Sequence, residues 1–255
     1  MQTGWKKDFS YKYFKKILKV VKKIGFKTYL LSELEKAIKN KQSKKIFLRH
    51  DVDLSLEKAL EMAKIECELG VKSTYMVIPN SSIYDIRSFT AGKILQQILA
   101  MGHEIALHFD VGKNRKGDFS ISTIKTEINF AAQEIEKITG QAIKSLSFHR
   151  PLLRFIGGDL FIENRVNAYA KELMVEYFSD SKGVWRRGEP IPELKKAPQQ
   201  LVQLLIHPIW WNEEHMNPDA SLQKLFKEKT KMLTPSLVRA FDAALSETVP
   251  AVKRK

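Results

Sequence analysis

Short apolar runs suited to extended chain alternate in this sequence with longer segments whose apolar residues recur every three or four positions, and this interleaving constrains the fold most. Ile46 to Arg49, Ser73 to Ile78, Glu104 to Leu107, Lys144 to Phe148, Glu176 to Phe178 and Leu201 to Ile206 are expected to be strands. Between them, Leu56, Leu60, Ala63 and Cys67 form one helical stripe. Ile124, Ile128, Ala131, Ile135 and Ile138 form another, closed by Gly140 as a helix-ending residue. Strands separated by helices imply a parallel sheet, because parallel neighbours need a crossover. Such a sheet opens as a doubly wound layer or closes as a barrel, and its ligand-binding ends then share one face. The expected class is α/β.

A length of 255 residues can bury the core of one such unit, and no repeat or low-complexity linker divides it. One domain over 1–255 is expected, with its chemistry at about 45–210 and helical flanks at 1–44 and 212–255. In the first flank, Phe14, Ile17, Leu18, Val21 and Ile24 share a helical face, and Lys15, Lys16, Lys19, Lys22 and Lys23 fill the other positions. This basic amphipathic helix can pack on its own domain or lie on an anionic membrane surface. Asn80 to Thr90 and Pro151 to Gly158 break the rhythm and read as loops at a site mouth, while Val252 to Lys255 reads as a solvated tail.

The formal charge of +14 draws the protein towards anions such as acidic glycans, lipid headgroups or nucleic acid. Zinc-finger spacing, a basic region with heptads and an aromatic RNA-binding motif are all missing, so nucleic acid is not an expected partner. No window reaches the roughly 18 apolar residues of a membrane span, and the N-terminus has no apolar export core. Cys67 is the only cysteine, so a disulfide framework is excluded and a cytoplasmic location, with at most peripheral contact with the inner membrane surface, is expected.

The ionisable residues gather at strand ends. His108, His149 and His207 each follow an expected strand, and so do Asp51 and Asp53. The carboxyl-terminal strand face is where α/β barrels hold their active sites. Strand alternation places Asp51 and Asp53 on one side, their α-carbons about 7 Å apart, with His50 on the other. One carboxylate can then bind a metal while the other stays free. Carboxylates with imidazoles and no thiolate suit a divalent ion such as Zn²⁺, which activates water for hydrolysis.

Leu48-Arg49-His50-Asp51-Val52-Asp53 resembles the first motif of the polysaccharide deacetylases, the NodB homology domain or carbohydrate esterase family 4, where the pattern is Thr-Phe-Asp-Asp. Gly102 to His108 is similar to the second motif, Phe148-His149-Arg150-Pro151 to the third, Asp180 to Trp185 to the fourth and Leu205-Ile206-His207 to the fifth. The resemblance is to a divergent intracellular branch. It implies a distorted (β/α) barrel that removes N-acetyl groups from amino sugars with one divalent ion, zinc by default. The substrate would be a glycan or a lipid-linked or nucleotide-linked sugar of surface-polysaccharide or cell-envelope assembly.

By the same resemblance, Asp53 and His108 are metal ligands, Asp51 is the general base on the activated water, and His207 is the acid that protonates the departing amine. Arg150 and Asp180 set orientation and pKa, since a guanidinium keeps a carboxylate ionised and a carboxylate raises an imidazole's pKa. The family's second motif carries a further metal-binding histidine four residues on, where this chain has Gly112. His149 is the favoured replacement and Asp110 the alternative. With neither, the chain would be a non-catalytic member of the fold that binds an acidic glycan or a lipid headgroup. Trp210 and Trp211 are either a platform for a sugar ring or core. His50 and His103 are expected to be structural and His215 to be a solvated loop residue.

Overall fold

The structure, a computed structural model, describes residues 8–112, 120–151, 153–197, 201–230 and 243; the expected tail at 252–255 and most of the flank beyond 230 lie outside them. Helix α1 (Tyr11–Lys23) begins at Ser10, whose side chain accepts from the Tyr13 amide and satisfies one of the unpaired donors of the first turn. Tyr13, Phe14, Ile17, Leu18 and Val21 are buried in the main core against neighbours that include α3 (Leu56–Glu68). The apolar stripe thus packs on its own domain, and the face that a membrane surface would need is already covered. Among the described residues no helix is long and apolar enough to cross a membrane.

Serine caps recur at Ser55 of α3, Ser88 of α4 (Phe89–Ala100) and Ser120 of α5 (Ile121–Thr139), whereas the short helices α2 (Leu34–Lys39), α6 (Lys171–Met174) and α7 (Pro190–Lys196) have no side-chain cap. Gly140 ends α5 at φ +69° as expected. The buried face of α3 differs from the expected stripe: Ala59, Met62 and Glu66 point inward, and Cys67 is exposed. Glu66 can be buried because its carboxylate is satisfied. His50 Nε2 lies 2.7 Å from it, Tyr75 Oη donates to it at 2.7 Å, and Ser73 Oγ donates as well. The His50 ring stacks on Tyr75 at 4.4 Å, and His103 bridges Ser73 and the carbonyl of Ala63. Both histidines therefore sit in a buried network between the sheet and α3, on the face opposite Asp51 and His108.

All six expected strands form: β2 (Lys44–Val52), β3 (Thr74–Val77), β4 (Glu104–Asp110), β5 (Ser145–His149), β8 (Tyr177–Ser179) and β9 (Leu201–Ile206). β2 and β4 run further than their apolar cores because the parallel ladders continue through polar residues, pairing Asp51 with Met76, His108 with Ser147 and Asp110 with His149. Three further short strands are β1 (Phe26–Tyr29), β6 (Phe161–Ile162) and β7 (Arg165–Asn167). The β6–β7 hairpin turns through Glu163 at φ 47° and Asn164 at φ 58°, the primed geometry that tight hairpins favour. The sheet order is β6-β7-β5-β4-β3-β2-β9-β8, with β1 beside β2, and every pairing is parallel except β6 with β7.

The sheet curls. Tyr29, Leu31 and Phe47, from the β1–β2 region, share a small core with Met76, Ala106 and Val166, so strands far apart in the order meet across the inner face. The two ends of the order, β6 and β8, are not paired, which leaves a distorted, open barrel. Strand alternation sorts everything else. Ile46, Leu48, Tyr75, Leu107 and Phe148 face the helices, whereas Phe47, Arg49, Asp51, Ala106 and His108 face inward.

Candidate metal centre and active site

Arg49 and Asp51 lie two residues apart on β2 and therefore on the same inner face. Arg49 Nε donates to Asp51 Oδ1 at 2.7 Å and Nη2 donates to Oδ2 at 2.7 Å, a bidentate pair in which Arg49 is 0% exposed. The guanidinium also lies 4.5 Å over the ring of Tyr169. Burial by itself would raise the Asp51 pKa, but the Arg49 charge outweighs it and holds the carboxylate below its usual range.

Asp53, just past β2, meets His108 of β4 and His149 at the end of β5. His108 Nε2 is 3.2 Å and His149 Nδ1 3.3 Å from Asp53 Oδ1, and ligand atoms of the three residues lie within 4.8 Å of one another. His108 Nδ1 is 2.6 Å from Ser147 Oγ, which fixes the ring and leaves Nε2 aimed at the cluster. Asp53 Oδ1 is buried without a hydrogen bond. A buried carboxylate oxygen facing two imidazole nitrogens at 3.2 and 3.3 Å fits a divalent cation. Two imidazoles and a carboxylate are a donor set of the zinc-hydrolase kind, in which three protein ligands leave a position open.

The alternative ligand Asp110 is engaged elsewhere. Its carboxylate accepts from Arg150 Nη2 at 3.0 and 2.8 Å, and Oδ1 also accepts from the Gly112 amide at 2.9 Å. Arg150 accordingly departs from expectation: it holds Asp110, and the guanidinium that keeps Asp51 ionised is Arg49. The chain turns through Gly112 at φ +82°, a left-handed conformation that a histidine would adopt only with strain. The position at which the motif resemblance would put a further histidine is thus a turn here.

On the other side, His207 follows β9 and Asp180 follows β8. His207 Nδ1 lies 2.7 Å from Asp180 Oδ1, and its own amide donates to the same oxygen at 2.9 Å. Trp211 Nε1 donates to Asp180 Oδ2 at 2.9 Å. Trp211 is 0% exposed, so of its two expected places it takes the core and not the substrate platform: its ring packs beside Phe9 and Phe14 while its N–H orients Asp180. Burial would lower the His207 pKa, yet the hydrogen bond and charge of Asp180, with Asp53 and Asp51 behind it, push it up to about 9.

The imidazole is therefore charged at neutral pH and loses its charge as pH rises through that value. In Asp180→Asn the main opposing contributions to burial disappear. The His207 titration of the chelator-treated protein, followed by NMR of the ring protons, is expected to move from near 9 to below about 7, the ordinary histidine range. An unmoved midpoint would remove Asp180 from this role.

Asp51, Asp53, His108, His149 and His207 line one cavity of about 260 Å³, together with Phe148, Arg150, Tyr169, Lys182, Arg186 and Trp210. Trp210 is nearly buried but borders this space, whereas Trp211 does not. His215 is exposed and accepts the Phe9 amide at 3.1 Å. Arg49 and Ser147 are the neighbours that sequence reasoning missed: a strand period of two places Arg49 on the face of Asp51, and the β4–β5 register sets Ser147 opposite His108.

No family model and no curated protein matches the sequence. Among solved structures, BA3943, a CE4 family pseudoenzyme from Bacillus anthracis, is 14% identical over 74% of this chain and 62% of its own, with a TM-score of 0.46. The resemblance is to polysaccharide deacetylases and their relatives. The Streptococcus pyogenes deacetylase PplD is 15% identical over 83% of this chain and 85% of its own, at a TM-score of 0.45. A family 4 acetyl xylan esterase from Clostridium thermocellum, solved with cobalt, is 15% identical over 80% and 92%, at 0.41. The chain spans less than two thirds of the length of BA3943. Likeness at this level carries no argument about chemistry, which rests on this chain's own residues.

Proposed function

We propose that the protein is a metal-dependent amide hydrolase that removes an N-acetyl group from an amino sugar. The observation that carries this reading is the juxtaposition in one cavity of a three-residue cation site, a carboxylate held ionised by Arg49 and an imidazole held charged by Asp180. Asp53, His108 and His149 would hold the ion, with zinc the best match to the donor set. Bound there, a divalent ion supplies Lewis-acid polarisation of the acyl carbonyl and a lower pKa for water.

The residues divide the proton transfers. Asp51 takes a proton from water as its oxygen attacks the acyl carbon. His207 gives its proton to the nitrogen as the C–N bond breaks, which releases acetate and a free amine. Arg49 keeps Asp51 ionised and in place at some expense of its basicity. Asp180 and Trp211 keep His207 charged and oriented. The alternative, a non-catalytic glycan-binding protein, was suggested by Gly112, and His149 supplies what Gly112 lacks.

Acetate release from N-acetylated amino-sugar substrates tests the proposal with the purified protein and added Zn²⁺. Asp51→Asn and His207→Ala are each expected to reduce kcat by about 10²–10⁴-fold, the usual contribution of a positioned acid or base. Chelation should abolish activity and Zn²⁺ restore it. Full activity in both variants, or activity indifferent to chelation, would overturn the reading.

A further inference from the structure

Three basic side chains border the candidate active site, and they are not equivalent. Arg150 is neutralised by Asp110 at 2.8 Å. Lys182 and Arg186 line the same cavity, and among the described residues neither pairs with a carboxylate. Both come from the turn that follows Asp180, which is rigidly held. Gly183 lies at φ +64° so close to α8 (Pro218–Thr230) that a Cβ there would stand 2.3 Å from Cγ of Pro218. Trp185 is buried and stacks near Phe9 at 6.4 Å. Lys182 itself is held at φ 61°, a left-handed conformation that a lysine adopts only when its surroundings impose it.

The turn also sorts its cations. Arg187, next to Arg186, is drawn to Glu176 at 3.2 Å and over the ring of Phe178 at 4.4 Å. Among the described residues Lys182 and Arg186 instead have no carboxylate partner, and they are exposed beside the Asp51 and Asp53 that line the same cavity. The hydroxyls of a neutral sugar do not call for a lysine and an arginine side by side. A phosphoryl or carboxylate group does, since Arg offers a planar fork and Lys a mobile point charge to the same anion.

We infer that the substrate is an anionic amino sugar, whose phosphoryl or carboxylate group is seated between Lys182 and Arg186 while its acyl amide meets Asp51 and Asp53. The inference rests on the deacetylase reading for the amide, but the anion site is tested separately. Isothermal titration of the zinc-loaded protein would compare N-acetylglucosamine 1-phosphate with N-acetylglucosamine, in the parent and in Lys182→Ala, Arg186→Ala and the double variant. The phosphorylated sugar is expected to bind at least about tenfold more tightly than the neutral one, as a single charge-assisted hydrogen bond allows. The double variant should lose that preference and keep its affinity for the neutral sugar.

Arg187→Ala removes an equal charge from the same turn and should leave the preference intact. Failure of the 1-phosphate to bind, equal affinity for the two sugars, or a preference that survives in the double variant or falls equally in Arg187→Ala would overturn the inference. If the preference holds but no substrate releases acetate, the anion site stands and the deacetylase reading fails. A uridine diphosphate sugar, a prenyl diphosphate sugar and an N-acetylated uronate, titrated in turn, distinguish a nucleotide, a lipid and a carboxylate source of the anion.

Discussion

Arg49→Met is expected to cost about 3–5 kcal/mol of folding stability, the usual penalty for leaving one member of a buried ion pair alone. Asp51 is 2% exposed and Arg49 provides both of its strong charge-assisted hydrogen bonds. Without the guanidinium, burial acts on the carboxylate unopposed by its main counter-charge, and the Asp51 pKa rises. In the parent this pKa is depressed, so the stabilisation is present above the ordinary carboxylate value and is lost as pH falls through the folded-state value. The deficit of the variant should therefore be largest at neutral pH and shrink in acid, where the parent loses a stabilisation that the variant lacks.

Denaturant unfolding at pH 7 and across the acid range measures both effects. Arg49→Met with Asp51→Asn should recover part of the loss, because the second change removes the stranded charge. Arg49→Lys should recover little, since an ammonium cannot reproduce the two-pronged contact. A single Arg49→Met variant within about 0.5 kcal/mol of the parent, the range of an ordinary surface change, would contradict the account.

The same pair indicates what could be read in the sequence. Every expected strand formed, and β2, β3, β4, β5 and β9 carry runs that are buried on both faces. The chemistry at their ends was legible through the alternation that separates Asp51 and Asp53 from His50. That rule also puts Arg49 with Asp51 and Ser147 with His149, yet an arginine inside an apolar run carries no sign of its partner until the opposing side chains are known. Arg150 shows the converse: its motif position suggested the catalytic carboxylate, and its side chain reaches Asp110 instead. Glu66 was missed for a similar reason. Its inward position on α3 is stable only because His50, Ser73 and Tyr75 converge on it from separate strand positions, and a helical stripe of apolar residues gives no hint of that. β1 (Phe26–Tyr29) and β7 (Arg165–Asn167) mix polar residues into the run and β6 is a partly exposed pair, so none presents a buried apolar stretch.

The proposed ligand set makes the remaining large prediction. Removing residues that merely orient a metal ligand costs about 10–100-fold in affinity, so deleting a ligand should exceed that range. His149→Ala and Asp53→Ala are accordingly expected to weaken Zn²⁺ binding by more than about 100-fold and to abolish turnover. Ser147→Ala, which frees His108 Nδ1 but leaves Nε2 in place, should fall within the 10–100-fold range. Asp110→Ala should leave the affinity within about tenfold, below the cost of losing a ligand, because Asp110 is occupied by Arg150 and the Gly112 amide. Competition against a chromophoric chelator measures these affinities. Thermal unfolding gives a second reading: Zn²⁺ at about 100 times its Kd stabilises a folded site by roughly 2.7 kcal/mol, a shift that the parent should show and His149→Ala should not. If His149→Ala kept its zinc while Asp110→Ala lost it, the third ligand would be Asp110, and the Arg150–Asp110 pair would have to open for the metal to enter.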